Sequence, residues 1–283
     1  MSFLNPAWSA HAAMGLFVLL WGSAALFTRW GLDYASPTVL LLLRFSLAMG
    51  ALLLLGLRRP IWPAKGTRWQ VASTGLLLVG GYSIFYFQSM AHGITPGLLA
   101  TLLGTQPVLT LLLTERRFSI WRLSGLLPSM AGLALVVWQG ASVANISTLG
   151  LLYGLGALAC ITFGSLRQKS IQQAPDAVLP LQYVMTLLLC IVMLPFETQT
   201  LNLDWGLVIP LLWLGLVISV AAQLLLYRMI RSGNLVNITS LFYLVPVVTV
   251  IMDYVFLGNA LPALALVGMV AILAGLALVF RKA

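Results

Sequence analysis

Arg44 and Asp253 are the residues of this sequence whose positions first ask for chemistry, because each is an ionisable side chain inside a long apolar run. A charge in hydrocarbon is costly and persists where it has a partner or a task. A guanidinium presents paired donors that match a carboxylate, which makes Arg44 a candidate receiver for an acidic group of a substrate. It is equally able to hold backbone carbonyls or to pair with a nearby acid. Asp253 lies towards the end of its run and reads as a group near the membrane interface, not as a proton relay.

Polar and aromatic residues at helical spacing form a second set. Tyr82, Tyr86 and Ser89 fall on one helix face, as do Thr101 and Thr105, then Ser219, Gln223 and Tyr227, and finally Ser240 with Tyr243. Residues three and four apart on a helix present together. Such stripes line aqueous cavities, and they also serve where hydroxylated and small residues pack one helix on another. Trp21 joins the cavity candidates because it sits in mid-run, whereas Trp8, Trp62, Trp69 and Trp205 sit at run ends, where tryptophan anchors a membrane interface. Pro107 and Pro246 each free a carbonyl one turn back and bend the helix, as a fixed kink or a hinge.

Catalytic chemistry has little to work with. No HExxH, no GxSxG, no phosphate-binding glycine loop and no pair of intramembrane aspartates occurs. His11 and His92 are isolated. Cys160 and Cys190 fall inside apolar runs and read as small buried hydrophobes. The sequence therefore predicts no catalytic residue, no metal site and no cofactor, and a chain that is not an enzyme.

The elements that must position these residues are membrane helices. The 283 residues are 61% hydrophobic and 7% charged, with a mean hydropathy of +1.03. A soluble domain carries about 25% charged residues, so lipid must be the solvent here. The runs are each near the ~20 residues that an α-helix needs to cross a bilayer, and not the ~10-residue alternating segments of a barrel. Ten spans are predicted, at 12–31, 37–57, 70–91, 95–114, 120–139, 148–166, 178–197, 206–227, 235–256 and 261–280. No removable signal peptide is expected, because the beginning lacks a basic segment and a clear cleavage site.

Apart from Arg29 and Arg44, all 15 basic residues lie on alternate connections: Arg58, Arg59, Lys65 and Arg68, then Arg116, Arg117 and Arg122, then Arg167 and Lys169, then Arg228 and Arg231, then Arg281 and Lys282. Cytoplasmic loops retain Lys and Arg, so both termini are expected in the cytoplasm. The net charge of +9 belongs to these loops, and no nucleic-acid partner is predicted.

The halves also resemble each other. Tyr82–Thr110 aligns without a gap on Ala221–Thr249, placing Pro107-Val108 on Pro246-Val247 and Thr101 on Ser240. After a four-residue shift, Gly125 and Gly132-Leu-Ala-Leu-Val match Gly268 and Gly275-Leu-Ala-Leu-Val. Two five-helix repeats are expected, 1–144 and 145–283, forming one transport domain. An odd number of helices per repeat requires the second to insert upside down, which is the architecture of many secondary transporters.

Trp21-Gly22-Ser23, Leu43-Arg44-Phe45, Pro107-Val108 with Leu111-Leu112 and Glu115, and Tyr243-Leu244-Val245-Pro246-Val247 through Gly258, Gly268 and Gly275 make the chain resemble the drug/metabolite transporter superfamily. Within it the chain is similar to ten-helix exporters of the EamA type, and most of all to aromatic amino acid exporters. The family often has Glu after the Leu-Gly that closes span nine, where this sequence has Asn259. The resemblance implies that the Leu-Arg-Phe unit is shared among exporters of different substrates. It also implies a bacterial inner (plasma) membrane location.

The expected function is export of small metabolites, above all aromatic or other apolar amino acids, by alternating access in a chain that works as a monomer. Span one has no central acid to couple cationic drugs, and no Lys and Arg cluster suits sugar phosphates. Efflux of lipophilic toxic compounds is the alternative, with an intramembrane enzyme or a channel as remote ones.

Overall fold

The computed structural model describes residues 6–56, 62–114, 147–232, 244–259 and 262–280, together with 124–125, 127–132, 134–135 and 138. Helices account for nearly all of them. They are α1 (Pro6–Leu32), α2 (Pro37–Gly56), α3 (68–91), α4 (96–114), α5 (described at 124–125, 127–132, 134–135 and 138), α6 (Thr148–Lys169), α7 (Pro175–Met193), α8 (205–232), α9 (Leu244–Leu257) and α10 (Ala263–Phe280). The chain is thus an all-α integral membrane protein. Outward-facing side chains are apolar, as lipid requires: Leu54, Phe163, Val192, Phe256 and Val270 are all exposed.

Local chemistry sets the helix starts. Pro37, Pro96 and Pro175 open α2, α4 and α7, where the missing N–H costs nothing. Side chains of Thr95, Ser147 and Asp204 accept from the first turns of α4, α6 and α8. Gly258, at φ +70°, ends α9 in a left-handed conformation suited to glycine.

Span four departs from the continuous helix expected. It breaks at Gly104-Thr105 between Pro96–Leu103 and Gln106–Thr114. The cause is Pro107, which cannot donate to the carbonyl of Leu103. The predicted beginning of span nine, 235–243, lies outside the described residues, as does much of span five.

α3 and α8 each contain a π-helical stretch, Leu76–Gly81 and Trp213–Ala222. Extending the 139-residue offset places 76–81 on 215–220, inside the second stretch. Sequence equivalence therefore extends to an uncommon backbone form that recurs at functional sites.

Three helix pairs join each element to its own equivalent. α2 meets α7, with Thr38 on Glu197 and Phe45 on Tyr183. α4 meets α9, with Gly97 on Asp253 and Gly104 on Pro246. α5 meets α10, with Gly132 on Gly268 and Gly275 on Gly125. In every pair the numbering rises along one helix as it falls along the other, so the partners are antiparallel. The last contact is reciprocal, because Gly125 and Gly132 are the equivalents of Gly268 and Gly275. Equivalent helices that meet antiparallel require a two-fold axis perpendicular to them, lying in the membrane plane. The two five-helix repeats are inverted.

The connections sort to two ends. Residues 33–36 pair with 199–202 through the Ala35–Leu201 bridge and the Asn202 N–H to Tyr34 O bond of 2.7 Å. At the opposite end, Gln173 holds Ala64 and Thr67, while Arg167 donates to Ser73. That second end carries Lys65, Arg68, Arg167 and Lys169 and is the basic end.

Candidate functional site

A cavity of about 100 Å³ lies among α1, α2, α3, α4, α6, α7, α8 and α9. It sits on the two-fold axis. Val79 and Ile218, Phe87 and Leu226, Gln106 and Val245, and Thr110 and Thr249 are equivalent pairs at the 139-residue offset, and both members of each line it. Phe45 and Tyr183, equivalent when Pro37 is set on Pro175, also both line it, with ring centroids 5.2 Å apart.

Trp21, Arg44, Tyr82, Tyr86, Ser219, Gln223 and Pro246, all singled out from the sequence, face this cavity. The rings of Tyr82 and Tyr86 lie 5.5 Å apart. Around Trp21 the sequence motif acquires a structural meaning. Gly22 has no Cβ where Val248 of α9 approaches, and its carbonyl accepts from the Thr249 hydroxyl at 3.1 Å. Ser23 accepts from the indole N–H of Trp213 at 3.0 Å, and Trp213 stacks on Phe27.

Arg44 is the one charged side chain among the described lining residues. Its Nε donates to Ser219 Oγ at 2.8 Å, and its guanidinium carbon lies 5.0 Å from the centre of the Phe45 ring and 5.7 Å from that of Phe87. Cation–π contact of this kind holds the charge in place without neutralising it. No described carboxylate pairs with Arg44. The π-helical stretch of α8 holds the acceptor in position: Ser219 Oγ donates to Leu214 O five residues back at 2.8 Å, while the Ser219 carbonyl accepts from the Tyr183 hydroxyl.

Other predicted cavity residues are used elsewhere. The Ser89 hydroxyl donates to Gly150 O at 2.8 Å, tying α3 to α6. Thr101 and Thr105 turn their hydroxyls onto the carbonyls of Gly97 and Leu102 within α4, a common use of a helical hydroxyl. Tyr227 donates to Gln182 Oε1 at 2.7 Å, and Gln182 in turn donates to Gln168 at 2.9 Å, a buried ladder linking α8, α7 and α6. These four do not line the cavity. Ser240 and Tyr243 lie outside the described residues. Pro107 opens the second piece of α4 instead of standing in mid-helix.

Asp253 lies beside the start of α4. It is 2% exposed, accepts from the Gly97 N–H at 2.7 Å, and receives the Asn259 amide at 3.0 Å. A carboxylate at a helix start satisfies orphan N–H groups and opposes the positive end of the helix dipole. Glu197 does the same for α2 through Thr38 N. Among the described residues these acids are committed to caps at the end opposite the basic one.

Phe87, Gln106, Ser165 and Tyr183 line the cavity and were not singled out from the sequence, while Phe45 was read only as part of the Leu-Arg-Phe unit. Gln106 donates to Ser165 at 3.2 Å. Only Gln106, beside Pro107, offered a signal, as an amide in an apolar run. Among the described residues no cluster of His, Cys, Asp and Glu suited to a metal is present.

The comparisons agree with this architecture. A transporter of Bacillus subtilis described as "Uncharacterized transporter YvbV" is 22% identical over 95% of this chain and 90% of its own length. A "Probable amino-acid metabolite efflux pump" of Salmonella typhimurium is 26% identical over 92% and 91%. A crystal structure at 19% identity superposes with a TM-score of 0.69 over 97% of this chain and 98% of its own, a likeness of fold. The EamA-like transporter family matches the chain twice, over residues 8–138 and 148–281. With nearly its whole length matched, this multi-pass membrane protein belongs to the EamA-like transporter family, within the drug/metabolite transporter superfamily.

Proposed function

We propose that this transporter exports small metabolites of the amino acid type, aromatic or otherwise apolar, from the bacterial cytoplasm by alternating access. The observation that carries the reading is the aromatic cavity on the inverted-repeat axis, with a single guanidinium at its wall. Aromatic rings receive an apolar body while a few placed polar groups orient the other end, as small-molecule sites generally do. The Salmonella relative's description points the same way.

About 100 Å³ is well below the ~300 Å³ of even small ligand sites. An aromatic amino acid therefore requires the helices to part, and in inverted repeats that motion opens one end at a time. The moving units are residues 1–144 and 145–283. In this reading the protein sits in an inner membrane with its basic end and both termini facing the cytoplasm, by the retention of Lys and Arg. Both repeats that line the cavity belong to one chain, which supports work as a monomer.

Purified protein in liposomes preloaded with unlabelled phenylalanine should accumulate labelled phenylalanine, tyrosine or tryptophan by counterflow, saturably and in mutual competition. Absence of counterflow across amino acids and their common derivatives would remove the proposal. Resistance to lipophilic agents without any such exchange would favour drug efflux instead.

Ser219→Ala removes the acceptor that holds Arg44 Nε. Hydrogen bonds to charged groups contribute about 1.5–3 kcal/mol, so apparent substrate affinity should fall roughly tenfold. Equal affinity in the variant would show that Arg44 needs no anchor.

A further inference from the structure

We infer that the cavity prefers monocarboxylates without a free ammonium group to the zwitterionic amino acids it also carries, with Arg44 and Thr28 forming the carboxylate subsite. This rests on the transport reading above and names its substrate class.

The first support is charge. Among the described lining residues Arg44 is the one ionised group, and no acid accompanies it. Asp253 and Glu197 are engaged at the starts of α4 and α2. A monoanion entering this space neutralises a lone cation. A zwitterion brings a second cation whose water must be stripped with no carboxylate to replace it, and that is costly.

The second support is the supply of donors. Arg44 spends Nε on Ser219, and no described residue accepts from its two terminal nitrogens. These form the fork that suits a carboxylate.

The third is Thr28. It lines the same cavity and is 1% exposed, and its hydroxyl is the one buried side-chain polar atom without a partner among the described residues. A buried hydroxyl left unpaired is destabilising, which a ligand acceptor would relieve. Gly31 of α1 packs on Leu40 of α2, and these helices run antiparallel. Thr28 and Arg44 then lie three and four residues further in, at nearly the same depth given about 1.5 Å per residue. Phe45 and Phe87 lie against the guanidinium, and the rings of Trp21, Tyr82 and Tyr86 on the same cavity wall would meet an apolar body.

The test compares four compounds that share a benzyl group: phenylalanine, N-acetylphenylalanine, phenyllactate and phenethylamine. Each competes against counterflow of labelled phenylalanine in proteoliposomes of the protein. N-acetylphenylalanine and phenyllactate should bind at least about tenfold more tightly than phenylalanine, and phenethylamine should not compete. Arg44→Gln should abolish the preference. Thr28→Val should weaken both anions about tenfold while Thr28→Ser retains them. Thermal stability in detergent confirms that each variant is folded.

Phenylalanine binding as tightly as the two anions would overturn the inference and leave amino acid export standing. An anion preference unchanged by Thr28→Val would overturn the Thr28 assignment. Failure of both anions to compete against a working counterflow would overturn the inference alone, and absence of counterflow with any amino acid or derivative would remove the export reading as well.

Discussion

Leucine at Gly132 or Gly275 is expected to abolish recovery of folded protein, and alanine at either position to lower its thermal stability sharply. A Cβ on Gly132 would stand 2.5 Å from the carbonyl oxygen of Gly268 and 3.0 Å from the backbone nitrogen of Ile272. Backbone cannot swing aside as a side-chain tip can, so α5 and α10 must separate along their length. Overpacking typically costs about 1–3 kcal/mol per inserted group, and the helical preference for alanine over glycine returns at most ~1 kcal/mol. Gly15 provides the control, since a Cβ there meets nothing within 4 Å; Gly15→Ala should be neutral or slightly stabilising. The reciprocal geometry adds a sharper expectation. Once one glycine has pried the helices apart, the second substitution meets less resistance, so Gly132→Ala with Gly275→Ala should cost less than the sum of the two. Melting temperatures of the single and double variants in detergent decide it. Strict additivity, or an unaffected Gly132→Ala protein, would contradict the close approach.

Asp253→Ala should produce the other large effect. The carboxylate accepts the first-turn N–H of α4 and the Asn259 amide in a setting that is 2% exposed. Its loss leaves a buried N–H unpaired and removes a charge-assisted cap, together about 2–4 kcal/mol. Asp253→Asn keeps one acceptor and should fall about midway. The α4–α9 crossing is also where Gly97 admits the carboxylate without a side chain of its own. Thermal unfolding, with thiol labelling of a cysteine placed at Thr95, would report both the lost stability and a loosened end. A variant as stable and as closed as the parent would refute the cap.

What the sequence made legible and what it hid have separate physical causes. The repeat was readable at Gly125, Gly132, Gly268 and Gly275 because close helix crossings exclude every side chain larger than hydrogen, so the same residue must recur. The alternation of basic connections was readable because lipid confines charge to the ends. The lining residues Phe45, Phe87 and Tyr183 were not, since an aromatic residue facing a cavity and one facing another helix look alike in a chain that is 61% hydrophobic. Hydroxyls misled for a related reason: Thr101 and Thr105 satisfy themselves on carbonyls of their own helix. Nor does any side-chain pattern mark 76–81 or 213–222 as π-helical. Asp253 was found as an acid, but its partner lies 156 residues away, and only the folded chain brings Gly97 to it.

The lone guanidinium in the cavity also has an electrical consequence. Under the proposed alternating access, Arg44 would sample different fractions of the transmembrane voltage in the two states. A full elementary charge crossing 100 mV involves about 2.3 kcal/mol, so even a partial traverse biases the unloaded protein towards the negative compartment. A bound anion of the proposed class would cancel that bias. Voltage would therefore drive the empty return stroke towards the cytoplasm and leave the laden stroke nearly unopposed, giving a symmetric scaffold a preferred direction of work.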